Sequence, residues 1–124
     1  MSIFETLRSH GCIVEPCGSR ATCNPPPMNT DDDYLVELPW SFWGYGHIHS
    51  LLDEAGFRKD GKEYGGRKGQ FESWRRNEVN LILTADQKFA AKHRAATHVC
   101  KSLNLLDKGD RVRVFQAVLY GNRA

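Results

Sequence analysis

The sequence lacks both a long apolar run and a strong excess of charge of either sign. Its 124 residues carry 17 basic and 15 acidic side chains, which gives a formal net charge of +2. So small a charge does not by itself predict a nucleic-acid partner. No N-terminal apolar stretch resembles a signal peptide, and none approaches the roughly 20 residues that span a membrane. We therefore expect a cytoplasmic protein without a membrane partner.

Cysteine is present, but not in the spacing of a zinc site. The four cysteines are Cys12, Cys17, Cys23 and Cys100. They form no Cys-x-x-Cys pair, and no histidine follows the first three in register. An intracellular domain with its own core does not need disulfides, so we expect reduced, structural thiols.

The hydrophobic pattern predicts one α/β (α+β) domain over residues 1–124, with a small mixed β-sheet and helices packed against it. Strands are expected over residues 12–17, 31–38, 71–75 and 79–84. Helices are expected from Ile3, from Pro39 to Gly56, after a cap at Thr84 or Asp86, and after Asp107. Residues 18–30 and 59–70 are rich in glycine, proline or polar side chains and are predicted to be loops.

Aromatic residues and histidines are concentrated around the third predicted element. Trp40, Phe42, Trp43 and Tyr45 are interpreted as core residues, with base stacking as the alternative. His47 and His49 would share a face only in a strand. In the predicted helix their side chains diverge, so we do not expect them to bind a metal together.

Three consecutive aspartates carry the strongest chemical signal. Asp31, Asp32 and Asp33 begin the second predicted strand, where side chains alternate between faces. Asp31 and Asp33 should therefore point the same way. Two carboxylates on one face repel each other unless a cation neutralises them, and Mg²⁺ commonly binds one or two carboxylates together with substrate phosphates. The pair predicts a divalent-metal site.

A short segment before the aspartates suits an anion. Gly18 lets the backbone approach a ligand closely, and consecutive amides in a turn can bind phosphate. The hydroxyl of Ser19 adds a donor, and the guanidinium of Arg20 can reach a phosphate oxygen. The sequence thus predicts an anion site next to a cation site.

The two segments, GSRA and then TDDDYLV, together resemble the signature of the DNA-polymerase-β nucleotidyltransferase superfamily. The resemblance covers roughly residues 12–84 and implies a single-domain nucleotidyltransferase palm. It implies that Gly18 and Ser19 hold a nucleoside triphosphate. It also implies that Asp31 and Asp33 bind two Mg²⁺ ions, for which Mn²⁺ can substitute. The C-terminal segment is similar to small phage-encoded nucleotidyltransferase-like proteins, which implies the host cytoplasm.

The family has a third carboxylate on a neighbouring strand, and here two residues compete for its place. Glu78 lies just before the predicted strand 79–84, and its side chain would lie on the same strand face as that of Asn80. Either residue could therefore lie beside the metal ions. Glu78 is the preferred catalytic acid and metal ligand, because a base must accept a proton and an asparagine amide cannot. Asn80 and Arg75 are then expected to contact the nucleotide. If Asn80 instead holds the third place, transfer is expected to be slow or lost.

The resemblance implies an enzyme that transfers a nucleoside monophosphate and releases pyrophosphate. The acceptor of the nucleoside monophosphate could be a protein hydroxyl, a nucleic acid or a small molecule. A partner protein or a nucleic acid could supply it. The alternative is a catalytically degenerate member that binds a nucleotide or a partner protein. A weaker third interpretation is a nucleic-acid-binding module, whose affinity would fall steeply with salt.

Overall fold

A computed structural model describes residues 2–28, 31–39, 44–60 and 70–121. Within these ranges the chain forms five helices and five strands. In chain order they are α1 (Ile3–Ser9), β1 (Ile13–Cys17), α2 (Ser19–Thr22), β2 (Asp32–Glu37), α3 (Gly44–Glu54), β3 (Arg58–Asp60), β4 (Glu72–Arg76), β5 (Val79–Thr84), α4 (Gln87–Leu103) and α5 (Lys108–Tyr120). The predicted α/β (α+β) class, a mixed sheet with helices packed against it, is confirmed.

The strands form one sheet in the order β1-β2-β5-β4-β3. Only β2 and β5 run parallel, and Asp33 lies opposite Asn80 in their register. Strand β1 runs antiparallel to β2 and pairs Cys17 with Asp33. The C-terminal end of β1 and the N-terminal ends of β2 and β5 therefore lie at the same end of the sheet. Gly18 follows β1 there.

Each face of the sheet carries its own hydrophobic cluster, because side chains alternate along every strand. The larger cluster packs α1 and α3 against the sheet and includes Val36, Leu52, Phe57, Trp74 and Leu81. The smaller cluster lies on the opposite face, under α4 and α5. Its members are Cys17, Leu35, Phe71, Phe89 and Ala90, with Ile82 and Leu119 packed against them.

Two elements form where loops were predicted. Helix α2 is a single turn within the predicted loop 18–30, too short to show a hydrophobic period. Strand β3 takes the first residues of the predicted loop 59–70 and pairs with β4. Its residues are all charged, so only its backbone pairing defines it. The remainder of that loop, residues 61–69, lies outside the described ranges.

Pro39 is not part of the third helix, although the helix was predicted to begin there. The described part of α3 runs from Gly44 to Glu54, and residues 40–43 lie outside the described part of the chain. The core interpretation of Trp40, Phe42 and Trp43 therefore stays a prediction. Tyr45 is partly buried and packs against the larger cluster, as expected.

Helices α4 and α5 begin as their sequences predict. The side chain of Asp86 accepts a hydrogen bond from the Phe89 amide, and Asp107 caps α5 through the Asp110 amide. A side-chain cap of this kind satisfies an amide that has no partner inside the helix. The N-terminal ends of α4 and α5 could be predicted because the capping residue and the hydrophobic period indicate the same position.

The expected state of the cysteines is confirmed. All four thiols are free and buried. Burial raises the pKa of the Cys12 thiol to about 11, so it stays protonated at neutral pH. None of the helices in the described ranges has both the length and the apolar character needed to cross a bilayer.

Candidate functional site

The turn after β1 is built around a close contact between Gly18 and Asp33. Gly18 has a φ of +75°, a conformation that residues with a side chain rarely adopt. A Cβ atom at this position would lie 2.2 Å from Oδ2 of Asp33 and 2.9 Å from its Cβ. Only glycine fits here, and the Gly18–Ser19 backbone is thereby held against the second aspartate.

Asp31 and Asp33 face the same cavity, as strand alternation predicted. Asp32 points elsewhere: its Oδ2 accepts a hydrogen bond of 2.9 Å from the hydroxyl of Tyr34. Strand β2 begins at Asp32, so Asp31 precedes the strand instead of opening it. The guanidinium of Arg75 lies 2.9 Å from Oδ1 of Asp31. One of the two aspartates is therefore already neutralised by a basic side chain.

The carboxyl group of Asp33 has an unusual proton affinity. Its pKa is raised to about 6, mainly because burial disfavours the charged form. The neighbouring charges of Asp31 and Asp32 raise the pKa further, whereas the hydrogen bond from Asn80 and the charge of Arg75 lower it. Such a carboxylate is stabilised by any cation that enters the cavity.

The third position beside the aspartates is held by Asn80. Its amide Nδ2 donates to Oδ1 of Asp33 at 3.2 Å. Its Oδ1 accepts a hydrogen bond of 2.8 Å from the hydroxyl of Ser73. Asn80 is buried, so these two hydrogen bonds fix its amide beside Asp33.

The prediction that the side chain of Glu78 lies beside Asp31 and Asp33 is wrong. Glu78 lies in the turn before β5, and its side chain is 77% exposed. Its Oε2 lies 3.6 Å from Nη2 of Arg20, and neither residue is among the described residues that line the cavity. Glu78 comes directly after Asn77, whose backbone has a positive φ. A hairpin turn here removes Glu78 from the strand face that Asn80 occupies.

The remaining predicted contacts divide between the cavity and its rim. Gly18, Ser19 and Asn80 line the cavity together with the two aspartates. Arg75 reaches the site through its ion pair with Asp31. Arg20 does not line the cavity, and its guanidinium lies beside the carboxylate of Glu78.

The opposite wall of the cavity comes from α4 and α5, which carry none of the predicted site residues. The cavity has a volume of about 720 Å³. Lys108 and Arg111 line it from α5, and His93 lines it from α4. Lys108, Arg111, Phe115 and Leu119 recur at intervals of three and four, so a shared helix face was the available signal. Nothing in the sequence indicated that this face meets the aspartates.

The cavity suits a metal ion held by two carboxylates and a phosphate better than one held by protein side chains alone. Among the described residues, no three histidine, cysteine or acidic side chains are grouped to hold a metal ion. The oxygens of Asp31 and Asp33 are nevertheless the hard donors that Mg²⁺ prefers, and Mg²⁺ commonly takes only one or two carboxylates when phosphates complete its shell. The two aspartates therefore fit a metal that arrives with a phosphate ligand.

No protein-family model, curated protein or solved structure matches this chain. The resemblance to polymerase-β-type nucleotidyltransferases thus depends on the Gly18–Ser19 pair and the two aspartates. Its implications for activity and metal stay predictions.

Proposed function

We propose that this chain binds a nucleoside triphosphate with Mg²⁺ in the cavity and transfers its nucleoside monophosphate to an acceptor. One observation carries the proposal: the Gly18 backbone touches Asp33 beside a cavity that Asp31 and Ser19 also line. A phosphate-compatible turn and a metal-compatible carboxylate pair are thereby in one place, although they come from separate strands.

Each residue has a distinct part in the proposed chemistry. Asp31 and Asp33 would hold the metal ions, which when bound neutralise charge on the attacking and leaving oxygens of an in-line displacement. Ser19 and the Gly18–Ser19 backbone would orient the triphosphate. Arg75 would exchange its contact with Asp31 for a phosphate oxygen, because a metal ion competes with it for that carboxylate. The proposed catalysis is positioning and charge stabilisation by groups already fixed in place.

A second function, nucleotide binding without transfer, is favoured by a specific contact. The residue beside Asp33 is Asn80, whose amide donates to that carboxylate and cannot accept a proton. Glu78, the acid expected in this role, is exposed and paired with Arg20. A site with two acids would keep affinity for a metal–triphosphate complex while reacting slowly.

The first experiment incubates the protein with each α-labelled nucleoside triphosphate, with Mg²⁺ or Mn²⁺, and with a cell extract as the source of acceptor. We expect label on the protein or on an extract component, together with released pyrophosphate. Both should disappear in Asp31→Ala/Asp33→Ala. Asp32→Ala is the matched control, because its side chain contacts Tyr34 outside the cavity.

Two further variants separate transfer from binding alone. Asn80→Asp restores an acid beside Asp33 and should raise transfer at least about tenfold if the third place limits the reaction. Glu78→Gln should leave transfer unchanged. Aspartate-dependent nucleotide binding without transfer in either wild type or Asn80→Asp would support the second function. Absence of both transfer and triphosphate binding would refute both functions.

A further inference from the structure

Part of the cavity lining is aromatic, and its side chains come from α4, α5 and the segment just before β4. The rings of Phe71 and Phe89 are stacked, with centroids 5.2 Å apart and planes inclined by 14°. His93 lies beside Phe89 at 5.7 Å and meets Phe115 edge-on at 4.9 Å. All four side chains line the same cavity as Asp31 and Asp33.

His93 is the unusual member of this wall. Only 6% of the residue is exposed, and its Nδ1 has no hydrogen-bond partner within the part of the chain that the structure describes. Buried polar atoms are nearly always paired, so an unpaired one requires an explanation. Burial and the charge of Arg94 lower the pKa of His93 to about 4. The ring is therefore neutral at pH 7, with one nitrogen donor and one nitrogen acceptor.

We propose that the aromatic part of the cavity lining forms a nucleobase pocket, in which Nδ1 of His93 forms a hydrogen bond to the edge of the base. This inference rests on the proposed function, because it assigns the base of the triphosphate whose phosphates the aspartates and their metal ions would hold. It names a residue, His93, that the polymerase-β resemblance does not include.

The aromatic and the carboxylate side chains of the lining differ in the way that the two ends of a nucleotide differ. Aromatic faces stack with bases, and a base edge presents ring nitrogens, carbonyls and amines that pair with a neutral imidazole. Lys108 and Arg111 line the same cavity and supply positive charge for phosphates. A volume of about 720 Å³ lies within the roughly 300–1,000 Å³ usual for ligand pockets. A purely apolar ligand would leave Nδ1 of His93 unpaired.

The test compares ligands that carry a base, a phosphate chain or both. Isothermal titration calorimetry would measure binding of the four Mg²⁺–nucleoside triphosphates, the four nucleosides and inorganic tripolyphosphate with Mg²⁺. His93→Phe keeps an aromatic ring in the wall and removes the nitrogen. His98→Phe is the matched control, since His98 is an exposed residue of the same helix.

We expect at least one nucleoside triphosphate to bind more tightly than tripolyphosphate. His93→Phe should weaken that triphosphate about tenfold, the effect of one buried hydrogen bond. Tripolyphosphate should be unaffected, and His98→Phe should behave as wild type. Equal affinity for tripolyphosphate and all four triphosphates, unchanged in His93→Phe, would overturn the base pocket and leave the triphosphate site intact.

The opposite failure is also distinguishable. Nucleoside binding that His93→Phe weakens, together with triphosphate binding that Asp31→Ala/Asp33→Ala leaves unchanged, would support the base pocket while refuting the proposed triphosphate site. No binding of any probe would overturn both.

A measurement on the wild-type protein covers the case in which His93→Phe fails to fold. With ¹⁵N-labelled histidine, the Nδ1 resonance of His93 should shift when the preferred nucleoside triphosphate is added, because the atom gains a hydrogen bond. It should stay unchanged with tripolyphosphate. An Nδ1 chemical shift that stays unchanged when the protein is saturated with each nucleotide would overturn the inference.

Discussion

The partly buried carboxyl group of Asp33 leads to a prediction in which stability and binding change in opposite directions. Its pKa is raised from the ordinary value of 3.8 to about 6 in the folded protein, mainly by burial. Between these two values the folded state keeps a proton that the unfolded state has released. The free energy of unfolding therefore falls as the pH rises from about 4 to about 6, and the loss is complete above that range.

The size of this loss follows from the shift. One pKa unit corresponds to about 1.4 kcal/mol, so the full shift would amount to about 3 kcal/mol. Because Asp33 is still partly exposed to water, which screens its charge, we expect about 1–2 kcal/mol. Asp33→Asn removes the charge and keeps an oxygen that can accept the hydrogen bond from Asn80. The variant should be more stable than wild type by that amount at pH 7.5, and equal to it near pH 4.

Urea unfolding between pH 4 and pH 8, with EDTA present, would measure the difference. Asp32→Asn is the control, because its carboxylate accepts from Tyr34 outside the cavity and its charge has the smallest of the effects on the pKa of Asp33. It should show a much smaller gain. Binding of Mg²⁺–nucleoside triphosphate should be lost in Asp33→Asn. A variant that is less stable than wild type at pH 7.5, or a difference that does not change with pH, would refute this account of Asp33.

Three other substitutions test the surroundings of the site. Gly18→Ala forces a Cβ to within 2.2 Å of Asp33 at a positive φ, and should cost at least about 2 kcal/mol of stability in thermal unfolding. Arg94→Ala removes a side chain that forms ion pairs with a glutamate on each of β1 and β2; urea unfolding at pH 7 should show a loss of about 1–2 kcal/mol, since the group is partly exposed. Asp86→Ala removes the cap of α4 and should cost about 1 kcal/mol by the same assay; no loss would mean that another group caps the Phe89 amide.

The elements that could be predicted are those whose local signals agree. Helix α4 combines a cap at Asp86 with an apolar period, and the period continues to Leu103, where the helix ends. Strand β3 has no such signal. Its three charged residues form a strand because their backbone pairs with β4, and a pairing between distant segments leaves no mark on a local pattern.

The candidate site divides in the same way. That Asp31 and Asp33 share a side followed from the alternation of a strand. Whether Glu78 or Asn80 lies beside them depended on the register of β5 against β2 and on where the β4–β5 turn ends, and both are fixed by pairing across the sheet. The wall formed by His93, Lys108 and Arg111 depended on how α4 and α5 pack over the sheet, which no spacing in the sequence specifies.

The position of Asn80 links the stability of the empty site to its chemistry. Its amide donates to the carboxylate of Asp33 and lowers a pKa that burial raises. In Asn80→Asp a third negative charge would replace that donor, so the empty protein should lose stability as the pH rises through about 6. Mg²⁺ should restore it, because like charges that repel in the empty site together attract a cation. Recovery of stability with Mg²⁺ but without faster nucleotidyl transfer would mean that the third acid binds metal without limiting the reaction, and would favour the nucleotide-binding function.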